Sequence, residues 1–191
     1  MVIGDELTAG VGDPKGLGWL GRVSARTPTE ATKMMLPLSV PGETTTALSA
    51  RWEDEFNRRA TNDHSVEHRL VIGLGHADIH SNLSIARSRL NLANILDVAT
   101  ERRIPTFIVG PPPTVPEQAA AIGELSAAFA DVALRRRIPY VDTFNPLVNH
   151  EQWSADLATT PGSYPSQAGY GLMAWLVLHT GWLTWLGIAE D

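Results

Sequence analysis

Short apolar runs alternate along this chain with longer stretches in which apolar residues recur every three to four positions. Continuous runs bounded by glycine, proline or aspartate are typical of buried parallel strands, and the longer period is typical of amphipathic helices. The predicted strands are Met1–Ile3, Met34–Val40, Arg69–Gly75, Pro105–Gly110 and Pro139–Asp142. The predicted helices are Leu17–Arg26, Thr45–Arg59 with Thr44 as N-cap, Ser84–Arg103, Glu117–Arg137 and a C-terminal helix within Gly169–Ala189. This alternation predicts an α/β fold, with a parallel sheet covered by helices on both faces.

The turn after the first strand carries the first candidate for chemistry. Its sequence, from Gly4 to Gly10, presents the carboxylate of Glu6 at the carboxyl end of the strand. His76 directly follows the strand Arg69–Gly75. Ligands bind at the carboxyl ends of the strands in open α/β sheets, so we expect both loops to open on the same edge and form one site.

Composition limits the classes of function. The chain has 191 residues, 43% hydrophobic and 19% charged, which predicts a single globular domain over residues 1–191. A net charge of -6 argues against a nucleic-acid partner, because phosphate binding favours a basic surface. The absence of cysteine excludes disulfides, thiolate metal sites and cysteine nucleophiles.

The C-terminal segment requires a test for membrane insertion. Residues 169–189 are nearly all apolar and include Trp175, Trp182 and Trp185, but the run barely reaches the ~20 residues of a spanning helix. We expect a helix buried against the sheet and no membrane span; a dimer or membrane contact through this Trp-rich helix is the alternative. The N-terminus shows no basic region or apolar core of a signal peptide, so a cytoplasmic protein is expected.

Four blocks of the sequence have a recognisable order and spacing. They are Gly4-Asp5-Glu6-Leu7-Thr8-Ala9-Gly10, then Gly42 with Thr44-Thr45-Thr46 and Arg51, then Gly75-His76-Ala77-Asp78, and finally Pro161-Gly162-Ser163-Tyr164-Pro165 followed by Ala168-Gly169-Tyr170. Over essentially the whole chain these blocks resemble the SGNH hydrolases, also called GDSL-type esterases and lipases. The resemblance implies a flavodoxin-like, three-layer α/β/α fold with a five-stranded parallel sheet.

The same resemblance implies that the usual chemistry of these enzymes is missing. Glu6 stands where the family has its nucleophilic serine, and Ala77 where it has the asparagine that binds the oxyanion. Tyr164 stands in place of the catalytic histidine, and Pro161 in place of its aspartate partner. Only Gly42 is retained, acting through its backbone N–H. Because a carboxylate at position 6 would occupy the oxyanion site or repel an oxyanion there, ordinary serine-based ester hydrolysis is not expected.

Glu6, His76 and Tyr164 are the candidate catalytic residues. Glu6 is a candidate general base, general acid or nucleophile, and the alternative is a carboxylate that only caps the following turn. His76 is expected at the mouth of the pocket, where a histidine titrating near neutral pH would act as an acid or base. Tyr164 is either a hydrogen-bond donor or an aromatic ring that fills the space of a histidine. Asp5 and Thr8 are expected to fix the turn.

A second cluster consists of His76, Asp78 and His80. In strand geometry these side chains would share one face, and with Glu6 nearby they could ligate a metal ion. So short a motif is weak evidence, and we predict neither a metal nor a cofactor. The resemblance implies instead that Asp78 holds loops together through hydrogen bonds.

The remaining candidates are predicted to bind substrate around the catalytic residues. They are Gly42, Asp78, His80, His150 and Trp153, the last two in a loop before Tyr164 that also contains Asp156.

Three functions follow from these residues. The first is an enzyme in which Glu6 performs acid–base chemistry on a small organic substrate, such as cyclisation, elimination, isomerisation or epoxide opening. The second is a pseudoenzyme that binds a ligand or partner without turnover. The third is weak esterase activity through water activated by Glu6.

Overall fold

Five short strands form one sheet within residues 1–28 and 33–188, the part of the chain that this computed structural model describes. The strands are β1 (Val2–Gly4), β2 (Pro37–Ser39), β3 (Leu70–Gly73), β4 (Thr106–Val109) and β5 (Tyr140–Val141). Their order across the sheet is β2-β1-β3-β4-β5, and every neighbouring pair is parallel. The predicted parallel sheet is confirmed, with strands shorter than the apolar runs because the ends of those runs enter the connecting loops.

Helices connect the strands and follow the last one. They are α1 (Glu6–Ala9), α2 (Gly18–Arg26), α3 (Thr45–Asn57), α4 (His76–His80), α5 (Ile85–Glu101), α6 (Ala119–Arg135), α7 (Glu151–Leu157), α8 (Gln167–Val177) and α9 (Leu183–Leu186). Single 3-10 turns lie at Pro116–Gln118 and Pro161–Ser163. The predicted N-cap of α3 is confirmed, since the Thr44 hydroxyl accepts a hydrogen bond from the backbone N–H of Ala47 at 3.2 Å.

Two hydrophobic clusters sandwich the sheet. On one face α3, α5 and α6 contribute fully buried side chains such as Leu48, Leu96 and Leu125. On the other face α2, α7 and α8 contribute Val23, Trp153 and Val177 among others. Burial of this apolar area on both faces is the main stabilising contribution to the fold, and it holds the carboxyl edge of the sheet rigidly.

The C-terminal segment is buried against the sheet, as expected, but it is not one continuous helix. After α8 the chain forms a wider turn at Leu178–Trp182, in which Gly181 has a φ of 75°, and then continues as α9. Trp182 is 1% exposed, whereas Trp175 is 55% exposed and stacks on His179. The predicted end of the segment, Ala189, lies outside the described residues. Among the described residues, no helix combines the length and apolarity that crossing a membrane requires.

Candidate functional site

The site lies where the strand order reverses. β1 is the first strand along the chain, and the sheet grows from it in both directions, toward β2 on one side and β3 on the other. Glu6 follows β1, and His76 follows β3 after two residues. Ligand sites in open α/β sheets form at such a switch point, so the predicted meeting of these two loops at one edge is confirmed.

The turn after β1 is fixed by close backbone packing. A Cβ atom added to Gly4 would lie 2.1 Å from the carbonyl oxygen of Gly73, so only glycine allows this approach of β1 to β3. Asp5 caps α1 by accepting a hydrogen bond from the N–H of Leu7 at 3.0 Å, and the Thr8 hydroxyl donates to the Gly73 carbonyl at 2.7 Å. Asp5 and Thr8 therefore fix the turn, as predicted, and hold Glu6 as the first residue of α1.

The Glu6 carboxylate accepts a hydrogen bond from the backbone. The N–H of Gly42 donates to Glu6 Oε2 at 2.6 Å, which is short, as expected for a hydrogen bond to an ionised acceptor. Glu6 is only 9% exposed. As predicted, the carboxylate itself occupies the Gly42 donor, and a second anion could bind to this N–H only by displacing it.

A buried ion pair anchors the turn that carries Gly42. Arg51 donates to the two carboxylate oxygens of Glu43 at 2.5 and 2.6 Å and to the backbone carbonyl of Leu38 at 2.7 Å. Glu43 is 2% exposed, so the pair is largely withdrawn from solvent. The Gly42 N–H is therefore held in place by an ion pair of its own turn with α3.

Asp5 and Glu6 are neighbouring acids with different surroundings. Burial, together with the negative charge of Glu6, raises the pKa of Asp5 from its ordinary value of 3.8 to about 8. Asp5 Oδ1 caps α1, but Oδ2 is buried without a hydrogen-bond partner among the described residues. At neutral pH, Asp5 is therefore a neutral acid beside a charged carboxylate.

His76 lies in the interior and not at the mouth of the pocket, which corrects the prediction. The chain after Gly75 coils at once into α4, and this turns the imidazole inward, leaving it 3% exposed. Its Nε2 lies 2.5 Å from the hydroxyl oxygen of Thr114, and its Nδ1 has no partner among the described residues. Burial and the nearby His80 lower the pKa of His76 to about 4, against the opposing effect of Glu6, so the ring is neutral at physiological pH.

The same helix separates the three residues that were considered as metal ligands and not predicted to be. His76 and His80 are one turn apart, with ring centroids 4.4 Å from each other, whereas Asp78 points elsewhere. The Asp78 carboxylate accepts from the backbone N–H of Thr45 at 2.7 Å and from its hydroxyl at 2.8 Å. Through these two hydrogen bonds Asp78 joins two loops. Because Asp78 is also fully buried, it is not available to a substrate. No group of three histidine or acidic side chains among the described residues is arranged to hold a metal ion.

Tyr164 lies at the edge of the site, in contact with two glycines. A Cβ atom on Gly12 would be 2.7 Å from Tyr164 Cβ, and one on Gly162 would be 3.0 Å from the tyrosine ring. Burial raises the pKa of Tyr164, and the negative charges of Glu6 and Asp5 raise it further. Tyr164 therefore keeps its proton at neutral pH and can donate it in a hydrogen bond, but it is a poor base.

His150 and Trp153 lie at the start of a helix and not in the predicted loop. His150 is the N-cap residue of α7, half-buried, and its Nδ1 has no partner among the described residues. Trp153 is 1% exposed and donates through its indole N–H to the carbonyl of Pro113 at 2.9 Å. Trp153 is thus a core residue, and no substrate reaches it in this conformation.

An open groove of about 570 Å³ runs along the loops that flank Tyr164. Its lining residues are Gly12, Asp13, Pro14, Thr159, Thr160 and Ser166. The sequence analysis missed this groove, although a glycine-rich segment could have signalled the close approach of the two loops at Gly12, where an added Cβ would lie 2.6 Å from the Pro165 carbonyl oxygen.

Comparison with known proteins gives one consistent result. The sequence pattern that defines the GDSL-like lipase/acylhydrolase family matches residues 2–172. No curated protein sequence matches the chain significantly.

Several solved structures share the fold. The crystal structure of TesA superposes with a TM-score of 0.73 at 20% identity, over 94% of this chain and 96% of that one. The psychrotrophic esterase EstA from Pseudoalteromonas sp. gives 0.71 at 17% identity, covering 97% of each chain. The lipase/acylhydrolase from Enterococcus faecalis gives 0.71 at 21% identity, over 94% of this chain and 93% of that one. These likenesses confirm the predicted three-layer α/β fold.

Proposed function

This chain belongs to the GDSL-like lipase/acylhydrolase family, and within that fold we propose that it is an enzyme whose acid–base chemistry on a small organic substrate is centred on Glu6. The observation that carries the proposal is the 2.6 Å hydrogen bond from the Gly42 N–H to Glu6 Oε2. A catalytic base must be held in a defined orientation, and here a backbone donor fixes one carboxylate oxygen while the other has no protein donor among the described residues.

The same hydrogen bond argues against acyl transfer through an oxyanion. Such a reaction needs free N–H donors aimed at a developing negative charge, and the loss of one donor typically lowers turnover by about 10²–10³. In this chain the Gly42 donor is already engaged by a fixed anion. By resemblance to the family blocks, Glu6 itself takes the position of the nucleophilic serine. We therefore propose that Glu6 removes or returns a proton instead of stabilising an oxyanion.

Tyr164 is the proposed partner of Glu6. It retains its proton at neutral pH and lies within electrostatic reach of the Glu6 charge. A base and a hydrogen-bond donor within electrostatic reach of each other suit reactions such as cyclisation, elimination, isomerisation or epoxide opening. The substrate is proposed to lie in the groove beside Tyr164, and the exposed residues Gly42 and His80 are proposed as further contacts at its edge. No cofactor is proposed.

A binding module without turnover is the second candidate, and the low exposure of Glu6 favours it. Glu6 is 9% exposed and fills the donor position with its own carboxylate, an arrangement that would also suit a closed, inactive site. On this alternative the groove beside Tyr164 binds a ligand that is released unchanged.

The test compares wild type with Glu6→Gln across a panel of epoxides, lactones, activated esters and β-substituted carbonyl compounds. Glutamine preserves the shape of the side chain and an acceptor for the Gly42 N–H, but it cannot act as a base. We expect turnover of at least one compound by the wild type and a loss of about 10²–10⁴-fold in Glu6→Gln. Tyr164→Phe is the matched variant that removes the hydroxyl donor of Tyr164. It should still bind the substrate but turn it over more slowly.

Three outcomes discriminate the hypotheses. Equal turnover in wild type and Glu6→Gln contradicts a role for Glu6 in the chemistry. Ligand binding without turnover by either protein favours the binding module. Hydrolysis of p-nitrophenyl esters that disappears in Glu6→Ala, with no activity on the other compounds, supports an esterase that works through water activated by Glu6.

A further inference from the structure

A small cavity beneath the site is lined by two residues that each have a buried polar atom without a partner among the described residues. Its volume is about 10 Å³, and it lies between the turn after β1, the ends of β3 and β4, and single residues of α2 and α8. Asp5 and His76 both line it, alongside apolar neighbours such as Trp19, Pro111 and Met173. Asp5 Oδ2 and His76 Nδ1 are the buried polar atoms in question, and both residues are at most 3% exposed.

We propose that this cavity is the site of one ordered water molecule that links the Asp5 carboxyl group to the His76 imidazole. A buried water needs about 10–15 Å³ and at least two polar partners, and the cavity provides both. Without the water, Asp5 Oδ2 and His76 Nδ1 would stay buried without a hydrogen-bond partner, which is destabilising.

The donors and acceptors along this path form one closed chain. The neutral Asp5 carboxyl donates its proton to the water, and the water donates to His76 Nδ1. His76 then carries its own proton on Nε2 and donates it to the Thr114 hydroxyl, 2.5 Å away. Asp5 Oδ2 and His76 Nδ1 both have a partner in this arrangement, and it assigns the Nε2–H tautomer to His76.

Ionisation of Asp5 reverses the chain. A charged carboxylate can only accept, so the water would donate to Asp5 and accept from His76 Nδ1–H, while the Thr114 hydroxyl would donate to Nε2. The tautomer of His76 therefore reports the protonation state of Asp5. Because the pKa of Asp5 is about 8, we expect the tautomer to change around that pH. The titratable groups with electrostatic influence on this pair and its neighbours are Glu6, Asp13, His80, Tyr164 and Tyr170.

This hydrogen-bonded relay, which runs from Asp5 through the water and His76 to Thr114, goes beyond the proposed function. It does not depend on that function, because it concerns a buried proton and not turnover. If Glu6 is catalytic, the relay keeps a neutral acid beside it; if the protein has no activity, the water and the tautomer are unchanged. Failure of one proposal therefore leaves the other standing.

The experiment is nitrogen NMR of the His76 ring between pH 5 and pH 9. We expect the Nε2–H form at neutral pH and a change to the Nδ1–H form around pH 8. In Asp5→Asn the side-chain amide still donates to the water but cannot ionise, so the Nε2–H form should persist over the whole range. His179→Asn, at an exposed position in the turn after α8, is the control and should leave the His76 signals unchanged.

A high-resolution crystal structure of the wild type provides a second measurement that does not require the variant to fold. Density for one water within hydrogen-bond distance of Asp5 Oδ2 and His76 Nδ1 supports the proposal. A direct hydrogen bond between the two side chains, a cavity without density, or an Nδ1–H tautomer at neutral pH would overturn it. A pH transition that persists in Asp5→Asn would overturn the assignment to Asp5.

Discussion

Asp156 and Asp5 are both buried aspartates near the carboxyl edge of the sheet, but their hydrogen bonding differs. Asp156 accepts from the backbone N–H of Ser166 at 2.6 Å, from the Ser166 hydroxyl, and from the N–H of Gly169 at 2.9 Å. Asp5 accepts from Leu7 through one oxygen, and its other oxygen has no partner in the part of the chain that the structure describes. The first arrangement is typical of a carboxylate that holds the structure together, called a scaffold acid below. The second is typical of a carboxylate with a functional role.

The difference teaches where function resides in this fold. Asp78 resembles Asp156, because backbone and hydroxyl donors satisfy its carboxylate and join two loops. Glu6 resembles Asp5, since it has one donor, on Gly42, and a neighbouring acid that its charge perturbs. Acids with a full set of donors position the loops, whereas acids with incomplete sets gather at the switch point of the sheet. Unsatisfied buried groups are expected to mark functional sites.

Replacement of Asp156 tests whether an acid with a full set of donors stabilises the fold, and it should have the largest effect on stability. Asp156→Ala leaves two backbone N–H groups at the start of α8 without their acceptor, and we expect the free energy of unfolding to fall by roughly 3 kcal/mol. Urea denaturation measures the change. Asp156→Asn is the matched variant and should lose less, because one acceptor oxygen remains. A loss below about 0.5 kcal/mol in the alanine variant would remove the distinction between the two kinds of acid.

The pH dependence of stability tests Asp5. Its pKa rises from 3.8 to about 8 on folding, so the stability that its neutral form provides is complete below pH 4 and is lost as the pH rises toward 8. Asp5→Asn cannot ionise and should not lose it. We therefore expect the melting temperature of Asp5→Asn, relative to wild type, to increase by several degrees between pH 4 and pH 8. A constant difference over that range would contradict a neutral Asp5.

His76 should act in the opposite direction on the acid side. Its pKa falls from 6.5 to about 4 on folding, so the contribution of the neutral ring is present above pH 6.5 and is lost as the pH falls toward 4. His76→Gln lacks this titration, so the melting temperature of the variant, relative to that of the wild type, should rise as the pH falls from 6.5 to 4. The slope is the quantity to compare, since the substitution also disturbs packing. Equal slopes in both proteins would show that His76 is not buried in its neutral form.

Glu6→Gln should have the smallest effect on stability. The amide oxygen still accepts from Gly42, so the free energy of unfolding should change by less than about 1 kcal/mol. Removing the charge should also lower the pH at which Asp5 ionises, because Glu6 is one of the two causes of its raised pKa. Urea denaturation and a pH titration of the variant measure both effects. A large loss of stability would place Glu6 with the scaffold acids.

The sequence predicted the parts of the site that depend on strand order and local turns. The common edge of the Glu6 and His76 loops followed from the predicted parallel sheet, the place of Glu6 at the Gly42 N–H followed from the resemblance to the SGNH hydrolases, and the cap at Thr44 followed from residue type alone. The orientation of His76 could not be predicted, because α4 has five residues and is too short to leave a periodic pattern. The unsatisfied oxygen of Asp5 and the pairing of His76 with Thr114 depend on packing between distant segments, for which the sequence carries no local signal.

Hydrogen exchange at the Gly42 amide tests the central claim, that the Glu6 carboxylate occupies this donor. We expect the Gly42 N–H to be protected in the wild type and in Glu6→Gln, which both supply an acceptor. In Glu6→Ala the acceptor is gone, and exchange should be at least about tenfold faster. An exchange rate at Gly42 that is the same in Glu6→Ala as in the wild type would contradict the account.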